Sequence, residues 1–253
     1  MQKYGQHFLT DPNIITQIVD AACLLRAENT VEIGPGKGAL TRELLARGVK
    51  VTAVEIDPEM VRCLQAQLPS EKLQVVQNDF LKFDLADLPP VSTEFISNLP
   101  YIDAAEILNK VLGWEHFKTA VFMFQKEQAQ KIRAKTGEKG YGPLSIFSQL
   151  RARISPICKA GRSSFSPPPK VDSAVLAFER ISPPQVAWKM LCRIVTAAFL
   201  HRRKTLLNAL ILGGYEKEKI IAFLQRLDAP LTLRPEQLAP QGYVLLADLL
   251  AQK

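Results

Sequence analysis

The chain has 253 residues, of which 47% are hydrophobic and 23% are charged, and its formal net charge is +7. These values are ordinary for a globular protein that is large enough to bury one large core or two smaller ones. No apolar run reaches the roughly 18 residues that a membrane-spanning helix requires. The first residues, M-Q-K-Y-G-Q-H-F-L-T-D, contain no apolar h-region. We therefore expect neither a membrane span nor a signal peptide.

The four cysteines are widely spaced along the chain and form no C-x-x-C pair; they are Cys23, Cys63, Cys158 and Cys192. Zinc sites and disulfide frameworks need cysteines at closer or more regular spacings. The sequence therefore predicts reduced thiols in a cytoplasmic protein, with no metal site.

The charge is distributed unevenly. Residues 1–109 contain 9 Lys/Arg and 15 Asp/Glu, whereas residues 110–253 contain 23 Lys/Arg and 10 Asp/Glu. An acidic half followed by a basic half favours two kinds of partner: a small ligand that carries positive charge, and a polyanion. Ordinary solvated surface charge is the alternative explanation for part of this asymmetry.

Strand-like and helix-like segments alternate over the first 125 residues. Thr10-Asp11-Pro12 begins a helix, since a capping oxygen is followed by a proline in the first turn. Strands are predicted at 30–34, 50–55, 72–77, 94–97 and 119–125, and helices between them at 39–47, 58–68 and 103–112. Such alternation is typical of an α/β domain with a mainly parallel sheet.

The rest of the chain changes character at Pro183-Pro184. Before this point, residues 151–157 and 173–179 are predicted to be a late pair of edge strands. After it the pattern is helical, with predicted helices at 186–200, 204–212 and 216–227. The sequence therefore predicts two domains, with an α/β domain at residues 1–183 and a small all-helical domain at residues 184–253.

A glycine-rich turn, V-E-I-G-P-G-K-G-A-L, connects the first predicted strand of the sheet to a helix. In a doubly wound sheet this turn is where a ligand meets the carboxyl ends of the strands. The spacing of Gly34, Gly36 and Gly38 departs from the G-x-G-x-x-G fingerprint of dinucleotide sites. Glu32, just before the turn, would also repel a pyrophosphate. A tight turn without any ligand is the alternative.

Two more acids follow the next strands at the same sheet edge. Glu55 ends the second strand, where a carboxylate can accept hydrogen bonds from both ribose hydroxyls. Asp79 follows the third strand, although a helix cap or a surface acid would explain it equally well. Three acids without a phosphate-binding lysine suit a ligand that has ribose, adenine and positive charge. S-adenosylmethionine fits this description.

The fourth strand ends in N-L-P-Y, residues 98–101. Proline keeps Leu99 out of the helical conformation, so the corner stays rigid and presents acceptor oxygens. The side-chain oxygen of Asn98 and the carbonyl of Pro100 suit the two hydrogens of an adenine amino group. Tyr101 would stack on the base, a contact worth on the order of 1–3 kcal/mol. An ordinary strand-end turn is the alternative.

Seven motifs together resemble the bacterial KsgA-type small-subunit ribosomal RNA adenine dimethyltransferases over essentially the whole chain. In chain order they are G-Q-H-F-L (5–9), E-I-G-P-G-K-G (32–38), N-L-P-Y (98–101), Q-K-E (125–127), Y-G-P-L-S (141–145), F-S-P-P-P-K-V-D-S-A-V (165–175) and H-R-R-K-T-L-L-N (201–208). The resemblance implies methyl transfer from S-adenosylmethionine to N6 of two adjacent adenosines near the 3′ end of 16S rRNA. It also implies that the cofactor is bordered by His7, Leu9, Gly34, Glu55, Asp79 and Asn98. Many relatives have asparagine at the position of His7.

The proline-rich motif F-S-P-P-P-K-V-D-S suggests a second aromatic contact. Consecutive prolines stiffen a loop into polyproline geometry, which can hold Phe165 outward against water. The ring would then stack on the other face of a flipped base. Phe165 packed beneath the loop is the alternative, and Lys170 would contact phosphate or remain solvated.

Basic residues in the second half of the chain suit an RNA backbone. They are Lys126, Lys131, Arg133, Lys135, Lys139, Arg202, Arg203 and Lys204. Pairing with acids would account for some of them. The R-R-K-T-L segment also separates the chain from the 23S rRNA methyltransferases of antibiotic resistance, which share N-L/I-P-Y but usually lack it.

The sequence therefore predicts a Rossmann-like S-adenosylmethionine-dependent methyltransferase sheet with a small helical C-terminal domain. The expected catalytic residues are Asn98, Pro100, Tyr101 and Phe165. We expect a monomeric cytoplasmic enzyme that acts on 16S rRNA within an immature 30S subunit. Three alternatives remain open: a ribosome-assembly factor that acts mainly by binding, a 23S rRNA methyltransferase, and a nicotinamide-dependent oxidoreductase, which the glycine spacing disfavours.

Overall fold

A computed structural model describes residues 7–24, 27–201 and 203–251. The chain divides into two compact units, the first formed by Met1–Ala129 with Ala152–Arg180 and the second by Gln130–Arg151 with Ile181–Lys253. The late division at 180/181 lies close to the expected boundary at 183/184. Residues 130–151 differ from the expectation, because they belong to the helical unit. Within the described residues, no helix is both long enough and apolar enough to cross a membrane.

The described part of the chain contains nine strands. They are β1 (Phe8–Leu9), β2 (Asn29–Ile33), β3 (Val51–Glu55), β4 (Leu73–Gln77), β5 (Thr93–Asn98), β6 (Phe117–Gln125), β7 (Ala152–Ala160), β8 (Phe165–Ser166) and β9 (Ser173–Arg180). Seven of them form one sheet in the spatial order β4-β3-β2-β5-β6-β9-β7, and β1 pairs with β8 in a separate antiparallel ribbon. The five predicted strands of the first 125 residues are all present.

The sheet combines a parallel core with an antiparallel end. Strands β2 to β6 run parallel, whereas β9 is antiparallel to both β6 and β7. The prediction of a late pair of edge strands is therefore wrong for β9, which lies inside the sheet between two partners. Its pattern explains this position, since Val175, Leu176 and Phe178 are all buried.

Ten helices lie within the described residues. They are α1 (Pro12–Cys23), α2 (Ala39–Ala46), α3 (Pro58–Gln67), α4 (Ala104–Gly113), α5 (Lys126–Arg133), α6 (Pro143–Gln149), α7 (Trp188–Leu200), α8 (Leu206–Leu212), α9 (Lys217–Arg226) and α10 (Pro240–Ala251). The start of α1 is as expected, because the Asp11 carboxylate accepts hydrogen bonds from the backbone N–H groups of Asn13 and Ile14. Asp57 and Pro58 begin α3 in the same way.

Each unit has its own core. The sheet unit buries one face of α1 through Ile14, Ile18 and Val19, which pack in a cluster with strand residues such as Ile96 and Met123. Burial of such side chains stabilises a fold by about 1.5–3 kcal/mol each.

The helical unit has a separate core that contains Ile146 and Leu150, and this explains why residues 130–151 belong to it. Two fully buried tyrosines there satisfy their hydroxyls with backbone carbonyls. Tyr141 donates to Leu238 and Tyr243 donates to Pro235.

The ribbon of β1 and β8 fixes the start of the described chain in the sheet unit. Its register pairs Phe8 with Ser166 and Leu9 with Phe165. Just beyond it, the Thr10 N–H donates to the Ser164 carbonyl at 2.9 Å, and the Ser164 hydroxyl donates to the Asp11 carboxylate at 2.9 Å. These contacts hold residues 7–9 against the loop that precedes β9.

Candidate active site

A cavity opens at the carboxyl ends of β2, β3 and β5 in the sheet unit. It encloses about 870 Å³ of empty space, part of it open to solvent. Sixteen described residues line it: His7, Phe8, Leu9, Glu32, Gly34, Pro35, Gly36, Lys37, Ala39, Leu40, Glu55, Ile56, Asn98, Leu99, Pro100 and Tyr101. Of the nine site residues that the sequence predicts, seven lie on this wall, whereas Asp79 and Phe165 do not.

The glycine turn shapes one wall of the cavity. Gly36 has φ +56°, and a Cβ added there would lie only 3.0 Å from the Phe8 ring. Gly38 has φ +77°, and a Cβ there would lie 2.7 Å from Leu64. Both positions need glycine, because a left-handed backbone and a close neighbour each disfavour a side chain. The backbone can therefore approach a ligand closely.

Glu55 lies at the end of β3 with its carboxylate held by backbone donors. The N–H groups of Gly36 and Asp57 donate to its two oxygens, each at 2.9 Å. Burial raises the pKa of this carboxyl, and the two amide hydrogen bonds oppose that shift. The acid is thus built into the cavity wall beside the glycine turn, where it can accept hydrogen bonds from ribose hydroxyls.

Glu32 is a second buried acid on the wall. Its carboxylate accepts a hydrogen bond of 2.6 Å from the Thr41 hydroxyl and is only 1% exposed. Burial, with a contribution from the charge of Glu55, raises the pKa of Glu32 to about 7. In the sequence this acid is one of the three that suit a positively charged ligand, and the structure adds its burial and its hydrogen bond to Thr41. It gives the cavity a titratable negative charge.

Asn98 has a defined orientation at the end of β5. Its side-chain Nδ2 donates to the His7 carbonyl at 3.0 Å, which leaves Oδ1 as the acceptor of the amide group. The neighbouring backbone is also anchored, since the Ser97 hydroxyl donates to the Ile33 carbonyl at 2.6 Å. The buried Leu99 beside it donates its N–H to Met123 at 3.3 Å. The corner is therefore rigid, as the sequence predicts.

Tyr101 is held from two sides. Its hydroxyl shares a hydrogen bond of 3.0 Å with the Ser173 hydroxyl at the start of β9. Its ring lies 5.8 Å from the His7 ring, at an interplanar angle of 31°. His7 in turn donates from Nδ1 to the Pro167 carbonyl at 2.9 Å. Ser173 and Pro167 both belong to the proline-rich motif, so this motif supports the N-L-P-Y corner.

Asp79 lies in the turn after β4 and is not among the residues that line the cavity. One carboxylate oxygen accepts from the Leu81 N–H at 3.0 Å, and the other lies 3.8 Å from the Lys82 ammonium. The carboxylate thus caps a turn, and no helix begins at this residue as the helix-cap alternative would require. A contact between Asp79 and the cofactor remains a prediction.

The prediction that Phe165 projects into water is wrong. The residue is 4% exposed and packs in the core cluster that contains Leu9 and Ile14. The reason is its pairing with Leu9 in the ribbon of β1 and β8, which turns the ring inward. Stiff prolines alone do not expose a ring that has an apolar cluster beneath it.

Three further residues of the wall carry side chains that sequence reasoning did not assign. Phe8 and Lys37 form a pair in which the lysine ammonium lies 4.6 Å from the ring centroid. Lys37 belongs to the glycine turn itself and lies on the wall, whereas the expectation concerned a lysine that binds phosphate and stays a prediction. Ile56, directly after Glu55, is 41% exposed and offers an apolar surface on the cavity wall.

The donor set fits S-adenosylmethionine. A close-packed glycine backbone, two buried carboxylates and an apolar rim suit a ligand that combines ammonium and sulfonium charges with a ribose and a flat base. The spatial order of the sheet and this site define the class, a Rossmann-like S-adenosylmethionine-dependent methyltransferase. S-adenosylmethionine is the cofactor of this class.

Comparison with known proteins identifies the family. The model of the ribosomal RNA adenine dimethylase family matches residues 1–237, and the chain belongs to this family. The ribosomal RNA small subunit methyltransferase A of Synechococcus sp. (strain JA-3-3Ab) is 37% identical, over 100% of this chain and 93% of the relative. The protein of the same name from Mycoplasma capricolum is 38% identical, over 98% of this chain and 96% of the relative.

Solved structures give the same picture. A dimethyladenosine transferase from Plasmodium falciparum has a TM-score of 0.80 and 27% identity, covering 95% of this chain and 96% of its own. The 23S rRNA methyltransferase ErmE has a TM-score of 0.73 and 28% identity, and the match covers 97% of this chain and 100% of the ErmE chain. The chain is therefore an enzyme that methylates RNA.

Affinity for the cofactor should depend on pH through Glu32. Its pKa of about 7 means that lowering the pH from about 7.5 to about 6 protonates it and removes its attraction for the cationic cofactor. We expect calorimetry to show weaker binding at the lower pH. Measured in two buffers of different ionisation heat, binding near pH 7 should release protons.

Glu32→Gln is the control for this prediction, because it keeps the shape of the side chain and removes its titration. In that variant both the pH dependence and the proton release should decrease. Equal proton release in the wild type and the variant would assign the titration to another group.

Proposed function

We propose that the chain transfers methyl groups from S-adenosylmethionine to N6 of two adjacent adenosines near the 3′ end of 16S rRNA, within an immature 30S subunit. The orientation of Asn98 is the observation that carries this proposal. Its Nδ2 donates to the His7 carbonyl, so Oδ1 is the atom of this amide that can accept a hydrogen bond from a substrate. Pro100 and Tyr101 line the same cavity beside it.

The chemistry required is activation of a poor nucleophile. The lone pair of an adenine amino group is delocalised into the ring, and hydrogen bonds from its two hydrogens to Asn98 Oδ1 and the Pro100 carbonyl would localise it. Tyr101, fixed by Ser173, would hold the plane of the base. When bound, S-adenosylmethionine supplies an electrophilic methyl carbon on a sulfonium. Positioning then accounts for most of the rate, and the product proton passes to water without a dedicated base.

The cofactor residues make different kinds of contact. The backbone at Gly34 lies close to the cofactor, Glu55 accepts hydrogen bonds from the ribose hydroxyls, and Asp79 accepts a hydrogen bond from the adenine base. His7 and Leu9 border the cavity from the ribbon side. Asn98 serves both ligands, since it lies where the methyl donor and the acceptor base meet. The outward stacking role of Phe165 is not retained, because its ring is buried.

The helical unit supports RNA as the larger partner. Residues 130–151 and 181–253 contain 15 Lys/Arg and 6 Asp/Glu, a net charge of +9, whereas the sheet unit has −2. Among the described residues of the predicted patch, Lys131, Arg133, Arg203 and Lys204 form no salt bridge within 4 Å. Arg202 lies outside the described residues. Such cations can neutralise RNA phosphates.

A cytoplasmic monomer suits this function. The wide spacing of the four cysteines in the sequence supports a reducing compartment. The similarity to ErmE keeps a 23S rRNA adenosine as the second candidate substrate. The relatives named for the small subunit, which match nearly the whole chain at 37% and 38% identity, favour 16S rRNA.

Labelled S-adenosylmethionine and unmethylated ribosomal subunits test the substrate. We expect label in 30S subunits, in two adjacent dimethyladenosines near the 3′ end of 16S rRNA, when the modified nucleotides are mapped. Purified 50S subunits and free 23S rRNA serve as the competing substrates. Label confined to 23S rRNA would favour the second candidate and refute the first.

Asn98→Ala should lower the rate of methyl transfer by about 100-fold or more, because the acceptor for the amino hydrogen is lost. Cofactor affinity should change far less, since the glycine turn and Glu55 remain. Single-turnover rates and calorimetry would measure the two effects. Asn109→Ala, an exposed asparagine on α4, is the matched control.

Undiminished turnover in Asn98→Ala would remove the proposed role of the amide. The same variant addresses the assembly-factor alternative. If the inactive protein restores subunit maturation in cells that lack the wild type, binding rather than methylation is the important act.

Arg203→Glu with Lys204→Glu should weaken rRNA binding and reduce the slope of log affinity against log salt by about two or more, because at least two phosphate contacts are lost. Cofactor affinity should stay the same. Lys189→Glu with Lys217→Glu makes the same charge change at two other exposed sites of the helical unit. Equal losses in both double variants would show a diffuse charge effect and contradict a local contact.

A further inference from the structure

Lys110 of α4 makes an unusual set of contacts with the turn after β4. Its ammonium donates hydrogen bonds to three backbone carbonyls: Phe80 at 2.7 Å, Leu81 at 2.9 Å and Phe83 at 2.5 Å. An ammonium has three N–H donors, so this turn uses all of them. The charge also lies 5.3 Å from the centroid of the Phe80 ring.

The same turn is fixed at its other end by Asp79. The Asp79 carboxylate accepts from the Leu81 N–H, and its backbone carbonyl accepts from the N–H groups of Lys82 and Phe83. The rings of Phe80 and Phe83 are buried beneath the turn, with centroids 6.3 Å apart. Residues 79–83 therefore have little freedom while Lys110 is in place.

Holding this turn with a lysine has a cost. Burial lowers the pKa of the Lys110 ammonium, and the nearby charges of Asp84 and Asp79 oppose that shift. Among the described residues, Lys110 forms no salt bridge within 4 Å of a carboxylate. Its observed hydrogen bonds all serve main-chain carbonyls of one turn, so its contribution is the geometry of that turn.

The turn follows β4, the strand that pairs with the end of β3 where Glu55 lies. Strands β3 and β4 pair Glu55 with Gln77, and the Asn78 N–H donates to the Glu55 carbonyl at 3.0 Å. In the sheet order, β5 with Asn98 lies on one side of β2, and β3 followed by β4 lies on the other. A nucleoside with its ribose at Glu55 and its sulfur toward Asn98 extends its base toward β4 and Asp79.

We propose that Lys110 is a positioning residue for the adenine of the cofactor, which it serves by holding the 79–83 turn so that Asp79 accepts a hydrogen bond from the adenine amino group. This inference rests on the proposed assignment of Asp79 to the cofactor. Leu81 occupies one carboxylate oxygen of Asp79, and the second oxygen, 3.8 Å from Lys82, remains for the base. Without Lys110, the three carbonyls would lose their donor and the turn would relax.

Binding of two product analogues tests this proposal without any catalytic step. S-adenosylhomocysteine has the adenine amino group, whereas S-inosylhomocysteine has a carbonyl oxygen in its place. We expect the wild type to bind the adenosyl compound about 10-fold or more tightly, the effect of one hydrogen bond to a charged group. In Lys110→Met this ratio should fall toward one, chiefly because the adenosyl compound binds more weakly.

Two variants complete the design. Asp79→Asn should lower the same ratio, and the double variant with Lys110→Met should lower it no further, because both changes remove one contact. Lys50→Met removes an exposed lysine elsewhere in the sheet unit and should leave the ratio at its wild-type value. If Lys110→Met does not fold, Lys110→Arg keeps the charge with a different donor geometry and should lower the ratio partially.

The outcomes separate the possible failures. Equal weakening of both analogues by Lys110→Met, with an unchanged ratio, would show a merely structural lysine and overturn the proposal. A wild-type ratio of one would overturn it through Asp79 while leaving the methyltransferase function intact. Failure of the wild type to bind S-adenosylhomocysteine would instead refute the proposed function.

Discussion

The hydrogen bond from Asn98 Nδ2 to the His7 carbonyl is the contact on which the proposed chemistry depends. In an amide the nitrogen donates and the oxygen accepts, so a hydrogen bond from the nitrogen fixes the orientation of the group and thereby the position of the acceptor oxygen. The His7 carbonyl is available because β1 pairs with β8 and because His7 also bonds Pro167. The segment at residues 7–9 and the loop before β9 thus orient a side chain at the end of β5.

Two carboxylates are buried in the cavity wall, and a cationic ligand can compensate for the unfavourable burial of their negative charge. Glu32 and Glu55 are both buried, and burial raises the pKa of each. Between an unfolded value of 4.5 and a folded value of about 7, Glu32 holds a proton in the folded state that the unfolded chain has released. Without a ligand, its contribution to stability therefore decreases as pH rises through this window. The buried carboxylates therefore favour binding of a cation, although their burial lowers the stability of the ligand-free fold.

Local sequence patterns correctly predicted those structural features that depend only on residues close together in the sequence. The cap at Asp11, the glycine turn and the N-L-P-Y corner are of this kind, and the structure contains each of them. Phe165 was mispredicted because its environment comes from Leu9, which is distant in sequence and adjacent in the ribbon. The hydrogen bond of Glu32 to Thr41, which lies on the following helix, was not predicted either. Contacts between residues that are distant in sequence produce no short-range pattern from which they could be predicted.

The division of the chain shows the same limit and has a functional consequence. A boundary at 183/184 assumes contiguous domains, yet residues 130–151 join the helical unit through Ile146 and Leu150. That segment carries five Lys/Arg and one Asp/Glu, so assigning it to the helical unit concentrates the positive charge there and leaves the sheet unit slightly acidic. A small cationic ligand is attracted by negative charge, whereas an RNA backbone is attracted by positive charge. Because two separated segments fold into the helical unit, the positive charge is concentrated in that unit and the negative charge stays in the sheet unit.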